Sequence, residues 1–440
     1  MNIPRFAFIE SNTTGSGRLF ARAAVGLGLK PMMVSAMPER YPYVEEDHLE
    51  VLRADTSDLH QLIAAIRERM AGQKVAGVMS SSDYFVAAAA TVAAALGLAG
   101  PSPEAMCAVR DKFVQRTRLE AAGVPVPQYR YATAASRAAS AAEAIGYPVV
   151  LKPCSGSGSY GVKLCVTGAE VEAHAKTLLA ITANERGQPL PPGILVEELA
   201  VGPEYSIETF NTSVVGITAK HLGALPHFVE VGHDFPAELG KASYDALART
   251  AVNALAALGL GWGPSHIEAR ITSSGPRIIE VNPRLAGGFI PELVRLALGI
   301  DLIALTVSAV AGKQPRIQKT ANRHASIRFL LPPRPGKFMG ISSGVAASQL
   351  PGGLQLSIYR KPGEQVRQHG DFRDRVGHVI AVGQTGSAAR RAADAAHRHI
   401  KLLVEAENPY LKGMPLQDLP SKACRGAKHS KIHRQINQSS

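Results

Sequence analysis

The stretch Pro148-Val149-Val150-Leu151-Lys152-Pro153-Cys154-Ser155-Gly156-Ser157-Gly158-Ser159-Tyr160-Gly161-Val162-Lys163-Leu164-Cys165-Val166 decides how the chain is read. Strand-like segments at 147–152 and 162–166 enclose a loop, 156–161, that matches G-x-G-x-x-G. A dinucleotide fold needs a helix directly after such a loop, to aim its N-terminus at the pyrophosphate. Here a strand follows. The loop is not a Walker A loop either, because Val162 rather than a lysine follows Gly161. A glycine flap between two strands remains, with a plain flexible hairpin as the alternative. Bare glycines let backbone N–H groups approach phosphate oxygens, and Ser155, Ser157 and Ser159 add hydroxyl donors. Lys152 stands at the end of the first strand, where a buried ammonium needs an anionic partner. Protein kinases use a similar flap, but no H-R-D-L-x-x-x-N stretch exists and Asp371-Phe372-Arg373 is not D-F-G.

A second informative stretch is a hairpin of carboxylates. In His266-Ile267-Glu268-Ala269-Arg270-Ile271 the residues His266, Glu268 and Arg270 share one face, and in Arg277-Ile278-Ile279-Glu280-Val281-Asn282 strict alternation puts Ile278, Glu280 and Asn282 on one face. A turn centred on Ser274 sets Glu268 opposite Glu280 and His266 opposite Asn282. Two carboxylates that close repel unless a cation lies between them. Two glutamates and an amide oxygen make a hard oxygen site suited to Mg²⁺ shared with nucleotide phosphates. Arg284, just beyond, can grip a carboxylate or phosphate in bidentate fashion. A solvated polar strand face is the alternative, but the flanking residues are apolar.

Outward from these motifs, strands at 6–10, 31–35 and 75–80 alternate with helices at 18–27, 59–70 and one ending near 98, which predicts a parallel α/β block up to about residue 100. A helix is expected over 104–122. Strands follow at 194–198, 205–209 and 214–220, then a helix at 290–298. A third block opens near Arg323, with strands at 325–330 and 379–382, a loop at 332–336 and a helix over 388–404. The polar tail from Leu411 reads as disordered. Gly340-Ile341-Ser342-Ser343-Gly344 matches G-x-S-x-G but lacks the strand-turn-helix setting of a nucleophile elbow, so it reads as a chance match in a turn.

Composition narrows the classes. The chain has 440 residues, 46% hydrophobic and 19% charged, which excludes disordered and collagen-like chains. The net charge is +12, from 48 Lys+Arg and 36 Asp+Glu, and it suits an anionic substrate such as a nucleotide. Aromatics at 5% argue against base-stacking platforms and nucleic-acid partners. Cys107, Cys154, Cys165 and Cys424 show no C-x-x-C spacing, so free thiols are expected. No signal peptide or membrane span is expected, and a cytoplasmic enzyme follows as the default.

Taken together, these elements resemble the ATP-grasp superfamily of carboxylate–amine ligases. The stretches carrying the resemblance are Asp111-Lys112-Phe113, Gly123-Val124-Pro125-Val126-Pro127, the strand and loop from Pro148 to Gly161, Leu195-Val196-Glu197-Glu198-Leu199, Gly202-Pro203-Glu204-Tyr205-Ser206-Ile207-Glu208, and Ile279-Glu280-Val281-Asn282-Pro283-Arg284. They run in order through residues 1–310. Pro226 to Pro236 looks like the substrate segment of the L-amino acid ligase group, which includes bacilysin- and dapdiamide-type ligases.

The resemblance implies an α/β ATP-grasp fold. Residues 1–103 would form a Rossmann-like pre-ATP-grasp domain. Residues 104–315 would form the ATP-grasp domain, with a small lobe over 125–200 and a large lobe over 201–315. An α+β domain would occupy 320–410, and a disordered basic tail 411–440. It implies that Lys112, Lys152 and the loop residues Gly156, Ser157, Gly158, Ser159 and Gly161 meet ATP phosphates, that Glu197, Glu198 and Leu199 meet adenine, and that Glu204 meets ribose. Glu268, Glu280 and Asn282 would hold two Mg²⁺ ions, with Mn²⁺ as a substitute. Arg284 would stabilise the transferring phosphoryl group and bind substrate, Glu230 and His233 would bind a substrate ammonium, and His266 would act as a base or orient Asn282. The implied reaction joins a small-molecule carboxylate to an amine through an acyl phosphate. A biotin-carboxylase-like or purine-pathway ATP-grasp enzyme using bicarbonate is the alternative, and a homodimer is left open.

Overall fold

The computed structural model describes residues 3–12, 16–156, 158–184, 186–343 and 354–406. The basic tail, Ser157, Gly344 and Cys424 therefore lie outside the described residues. The first block is a four-stranded sheet of β1 (Arg5–Ile9), β2 (Lys30–Ser35), β3 (Glu50–Arg53) and β4 (Val75–Met79). Its strands run parallel in the order β3-β2-β1-β4. The short β3 escaped the sequence reading because Glu50-Val51-Leu52-Arg53 has only two apolar residues between charged ones and stays half exposed. Both faces of the sheet are covered, so β1 is buried along nearly its whole length, as parallel strands require.

The expected helix over 104–122 is two helices, Pro103–Val109 and Lys112–Ala121. Asp111 breaks the run and caps the second helix, accepting from the amides of Phe113 (2.7 Å) and Val114 (3.2 Å). The small sheet that follows contains β5 (Tyr129–Ala132), β6 (Val149–Pro153), β7 (Lys163–Cys165) and β8 (Ile194–Glu198), in the order β5-β8-β6-β7. The glycine loop joins β6 to its antiparallel partner β7, as the sequence indicates.

The second half of the chain is built on one eight-stranded sheet. It comprises β9 (Glu204–Phe210), β10 (Ser213–Leu222), β11 (Glu230–Phe235), β12 (Pro264–Thr272), β13 (Gly275–Asn282), β14 (His324–Leu330), β16 (Gln355–Ile358) and β18 (Gly377–Gly383). The order is β13-β12-β9-β10-β11-β14-β18-β16. The third block seen in the sequence thus extends the sheet of the second through the β11–β14 pair. A separate small sheet pairs β15 (Gly336–Ser343) with β17 (Gln365–Val366) and β19 (Ile400–Ala406).

Two expectations are corrected here. The last helix is Gly386–His399, and 400–404 belongs to β19. From Ile400 onward the burial pattern no longer follows one helix face: Ile400 and Val404 are buried while Lys401, Leu403 and Glu405 are exposed, a period of two that suits a strand. Gly340 to Ser343 of the G-x-S-x-G match lie within β15 rather than in a turn, so Ser342 sits on a paired strand and not at an elbow.

Each face of the large sheet has its own core. Ile207, Ile217, Ile267, Ile278 and Val281 pack on the helix Lys241–Ala257. On the other face, Phe235, Ile327, Phe329 and Ile380 pack under the helix Ile290–Leu298. The polar half of that second face, across β12, β9 and β10, is left open for chemistry. The first block docks through Phe6, Phe8 and Phe20 onto Val307 and Val310 of the helix Leu302–Val310. No single helix among the described residues is long and apolar enough to cross a membrane.

His378 of β18 lies opposite Phe329 and within hydrogen-bonding reach of the Tyr359 hydroxyl through its Nδ1. Burial pushes its imidazole down to about 4. An unfolded histidine titrates near about 6.5. The native state therefore stays neutral where the unfolded chain already binds a proton. The stabilisation is complete above about pH 6.5 and is lost as pH falls toward 4. Chemical denaturation at pH 7 and pH 5 should show His378→Phe losing about 2 kcal/mol less stability than the wild type over that interval. Equal losses in the two proteins would contradict this account.

Candidate active site

The cleft between the two lobes encloses about 840 Å³ of space open to solvent. The carboxylate hairpin forms one wall with the two expected pairs, His266 opposite Asn282 and Glu268 opposite Glu280. Next to them a bulge shifts the pairing to Ala269 opposite Ile278, so Ile278 turns into the core instead of sharing the face of Glu280 and Asn282 as strict alternation predicts. β13 is the edge of the large sheet, and Gln115 closes that edge. Its side chain donates to the Val281 carbonyl (2.9 Å) and accepts from the Val281 amide (2.8 Å).

Lys112 and Lys152 both line the cleft, Lys152 from β6 of the small sheet and Lys112 from the helix that packs on β13. The Lys112 ammonium donates to the Gly156 carbonyl and to Glu280 Oε1, each at 2.7 Å. Its backbone amide donates to the Cys154 carbonyl at 2.8 Å, which ties the helix start to the end of β6. Lys152 pairs with Glu197, whose other oxygen is 2.6 Å from Arg116 Nε. Arg116 is fully buried and also donates to the Ile279 carbonyl. Burial works to raise the pKa of Glu197, but Arg116 and Lys152 outweigh it and hold the carboxyl below the usual range. Burial lowers Lys152 despite that partner. Glu198 pairs with Arg277 at the cleft rim.

Lys220 is the centre of the far wall. Its ammonium lies 2.8 Å from Glu204, 2.8 Å from Glu230 and 2.7 Å from Glu268. Burial opposes its charge, yet the three carboxylates raise its pKa well above normal. Arg270 also holds Glu204, at 2.9 Å. His266 bridges Glu208 (2.9 Å) and Glu268 (3.2 Å). Burial lowers its pKa, but the two carboxylates prevail and push it up to about 9, so an imidazolium is present at neutral pH. His233 is fully buried, 3.6 Å from Glu230, with both ring nitrogens lacking a hydrogen bond. A Cβ on Gly288 would approach its Nε2 to 2.6 Å. Cys154 is buried, which pushes its thiol up to about 12 and makes it inert at neutral pH.

The sequence reading missed four cations and one surface. Arg116 sits on the buried stripe of its helix with Lys112, Gln115 and Leu119, and polar residues at that helical spacing were the available signal. Lys220 and Arg270 share the strand faces that carry Glu204 and Glu268, which alternation alone could have exposed. Arg375 had no local signal: it comes from the C-terminal block, lies 2.6 Å from Glu230 and stacks 3.8 Å from the Phe329 ring centroid. The same block meets the glycine loop. The Phe372 amide points at the Gly158 carbonyl (3.4 Å), and Arg373 lies 5.2 Å over the Tyr160 ring.

The donor set fits a hard divalent cation. Glu268, Glu280 and Asn282 present oxygens on one sheet face, and the ammonium groups of Lys220 and Lys112 already mark the two glutamates as sites of positive charge. No cluster of three His, Cys, Asp or Glu side chains among the described residues is spaced to hold a metal alone. Mg²⁺ usually takes only one or two protein carboxylates beside substrate phosphates, and Glu268 and Glu280 are such a pair.

Two variants probe this geometry. Glu197→Gln leaves Arg116 and Lys152 buried without their shared counter-charge and should cost about 3–5 kcal/mol in urea denaturation. A loss below about 1 kcal/mol would show that the triad is not a stabilising unit. Gly158→Ala places a Cβ 2.4 Å from the Phe372 ring at a φ of +67°. It should free the loop from the C-terminal block, read as faster proteolysis at the loop. Unchanged proteolysis would count against the contact.

Residues 145–292 match the ATP-grasp domain family, and residues 328–405 match the family described as L-amino acid ligase C-terminal domain 2. An uncharacterized protein of Sinorhizobium fredii, y4rH, is 39% identical over 378 residues, covering 86% of this chain and 78% of the relative. Dapdiamide A synthase of Enterobacter agglomerans is 23% identical over 391 residues, covering 85% of this chain and 90% of that enzyme. The crystal structure of an L-amino acid ligase from Bacillus licheniformis superposes with a TM-score of 0.76 at 21% identity, over 92% of this chain and all of the other. The chain belongs to the ATP-grasp superfamily of carboxylate–amine ligases, in the group of the L-amino acid ligases.

Proposed function

We propose that the protein condenses two small molecules, amino acids or an amino acid and a small carboxylic acid, into an amide at the cost of one ATP. The observation that carries this reading is the convergence on one cleft of Lys112, Lys152 and the glycine loop with the paired Glu268 and Glu280. Phosphoryl transfer asks for positioning and charge neutralisation rather than for a nucleophilic side chain. The arrangement offers both.

In this reading Lys112, Lys152 and the amides of residues 156–161 hold the triphosphate. Glu197, Glu198, Leu199 and Glu204 line the nucleoside end. Glu268, Glu280 and Asn282 hold two Mg²⁺ ions, for which Mn²⁺ can substitute, and bound Mg²⁺ supplies neutralisation of the phosphate charge. A substrate carboxylate oxygen attacks the γ-phosphorus, the bond to the bridging oxygen breaks, and ADP leaves. Arg284 faces the acyl phosphate. The substrate amine then attacks the acyl carbon, phosphate departs with the C–O electron pair, and the amine proton is lost. Glu230, which lines the cleft, takes the substrate ammonium, and His233, fully buried 3.6 Å from it, supports Glu230 rather than meeting the ammonium itself. His266, an imidazolium between two carboxylates, orients Glu268 rather than serving as a base. Use of ATP fits a cytoplasmic location, and a homodimer is compatible with the fold.

A bicarbonate-using ATP-grasp enzyme is the competing reading, since the same fold occurs in an N5-carboxyaminoimidazole ribonucleotide synthetase from Thermotoga maritima at 18% identity. The match of residues 328–405 to the ligase C-terminal domain favours amide formation. The test is phosphate release from ATP and Mg²⁺ across a matrix of amino acids and small acids, singly and paired, with mass spectrometry of products. Pair-dependent release with a condensed product is expected. Release that depends on bicarbonate and ignores amino acids would overturn the reading. Glu280→Gln should lower turnover at least about 100-fold while the protein still unfolds cooperatively. Wild-type turnover in that variant would remove Glu280 from the site.

A further inference from the structure

Asp83 begins a short 3-10 turn, Asp83–Phe85, directly after β4, at the carboxyl end of the parallel sheet. Sequence alone gives the run Ser80 to Asp83 two readings, a ligand contact at that end of the sheet or a helix cap. The structure shows a third. Asp83 Oδ1 lies 3.1 Å from Nε of Arg284, which follows β13 in the second half of the chain. The same oxygen lies 3.9 Å from Arg110 NH1, and the Arg110 guanidinium sits 5.6 Å over the Tyr84 ring. Both members of the Asp83–Arg284 pair are about four-fifths buried.

The fixing of Arg284 is specific in its geometry. Arg284 NH1 donates to the Leu285 carbonyl at 3.0 Å. Its Nε is buried with no hydrogen bond and faces Asp83 as an ion pair. The planar fork is therefore held at NH1 by the chain's own backbone and at Nε by a carboxylate from the first block of the chain. A guanidinium held on one side presents its remaining N–H groups in a fixed direction, which is what recognition of an anionic oxygen requires. One carboxylate between two guanidiniums also leaves positive charge in excess, suited to an incoming anion.

We propose that Asp83 is the positioning residue for Arg284, setting the direction in which that guanidinium meets the phosphoryl group and the acyl phosphate. The proposal rests on the role given to Arg284 above. It makes the first domain part of the catalytic apparatus without its touching the reacting atoms.

The test uses the full chain with Asp83→Asn, which keeps the shape and removes the charge, and Asp83→Glu, which restores it. In the condensation assay Asp83→Asn should lower kcat about 10- to 100-fold and leave KM for ATP within about twofold. Asp83→Glu should recover part of the loss. On an Arg284→Ala background Asp83→Asn should add nothing, because both changes act through one group. Independently of turnover, phenylglyoxal labelling followed by peptide mass spectrometry should modify Arg284 faster in Asp83→Asn, with Arg295 as the unaffected control and the melting temperature unchanged. Additive losses on the two backgrounds, or labelling of Arg284 at the wild-type rate, would overturn the proposal. A wild type that condenses nothing would overturn the proposed function alone, and the labelling result would still decide the role of Asp83.

Discussion

Everything in the cleft depends on carboxylates that are dehydrated only in the company of cations from other elements. Glu197 on β8 is ionised because Arg116 comes from a helix and Lys152 from β6. Glu204, Glu230 and Glu268, on three different strands, share the ammonium of Lys220. Removing a buried carboxylate from water is costly. The compensating charge is available only when the strands are in register and the lobes are docked. Folding and site assembly are therefore one event here. The same cations hold Glu197 and Glu268 below the usual carboxylate range before any ligand arrives.

The motifs that announced themselves in the sequence were those whose meaning is local. A glycine loop flanked by strands, and a hairpin whose alternation sets Glu268 against Glu280, follow from turn chemistry and a period of two, and the structure has both. The edges of elements were harder. Asp111 splits one expected helix because its side chain prefers to cap, and Ile400–Ala406 became a strand because its burial alternates. What was not legible was long-range. Nothing near Arg375 indicates that it will meet Glu230, 145 residues earlier, and nothing near Asp83 indicates Arg284. Such pairs are decided by how sheets dock, and the sequence pattern of neither partner carries that information.

The architecture explains why the C-terminal block is more than an appendage. β14 pairs directly with β11, the strand that bears Glu230 and His233. Any shift of the block would move these residues along with Phe329, whose ring packs edge-on against His233. The block also supplies Phe372 and Arg373 against the glycine loop. One wall of the cleft and part of its roof thus move as a unit with a domain that, by sequence, lies far from the nucleotide-facing motifs.

Gln115 has a consequence of its own. By bonding both the N–H and the C=O of Val281, it stands in for the neighbouring strand that an edge lacks, and it does so between Glu280 and Asn282. Sliding β13 by a single residue at this point would turn Val281 toward the cleft and Glu280 and Asn282 toward the apolar core behind the sheet. A neutral side chain that never touches the nucleotide is thus the registration mark for the site. It fixes the register of β13 beside a bulge, at an edge of the sheet where no further strand could enforce it.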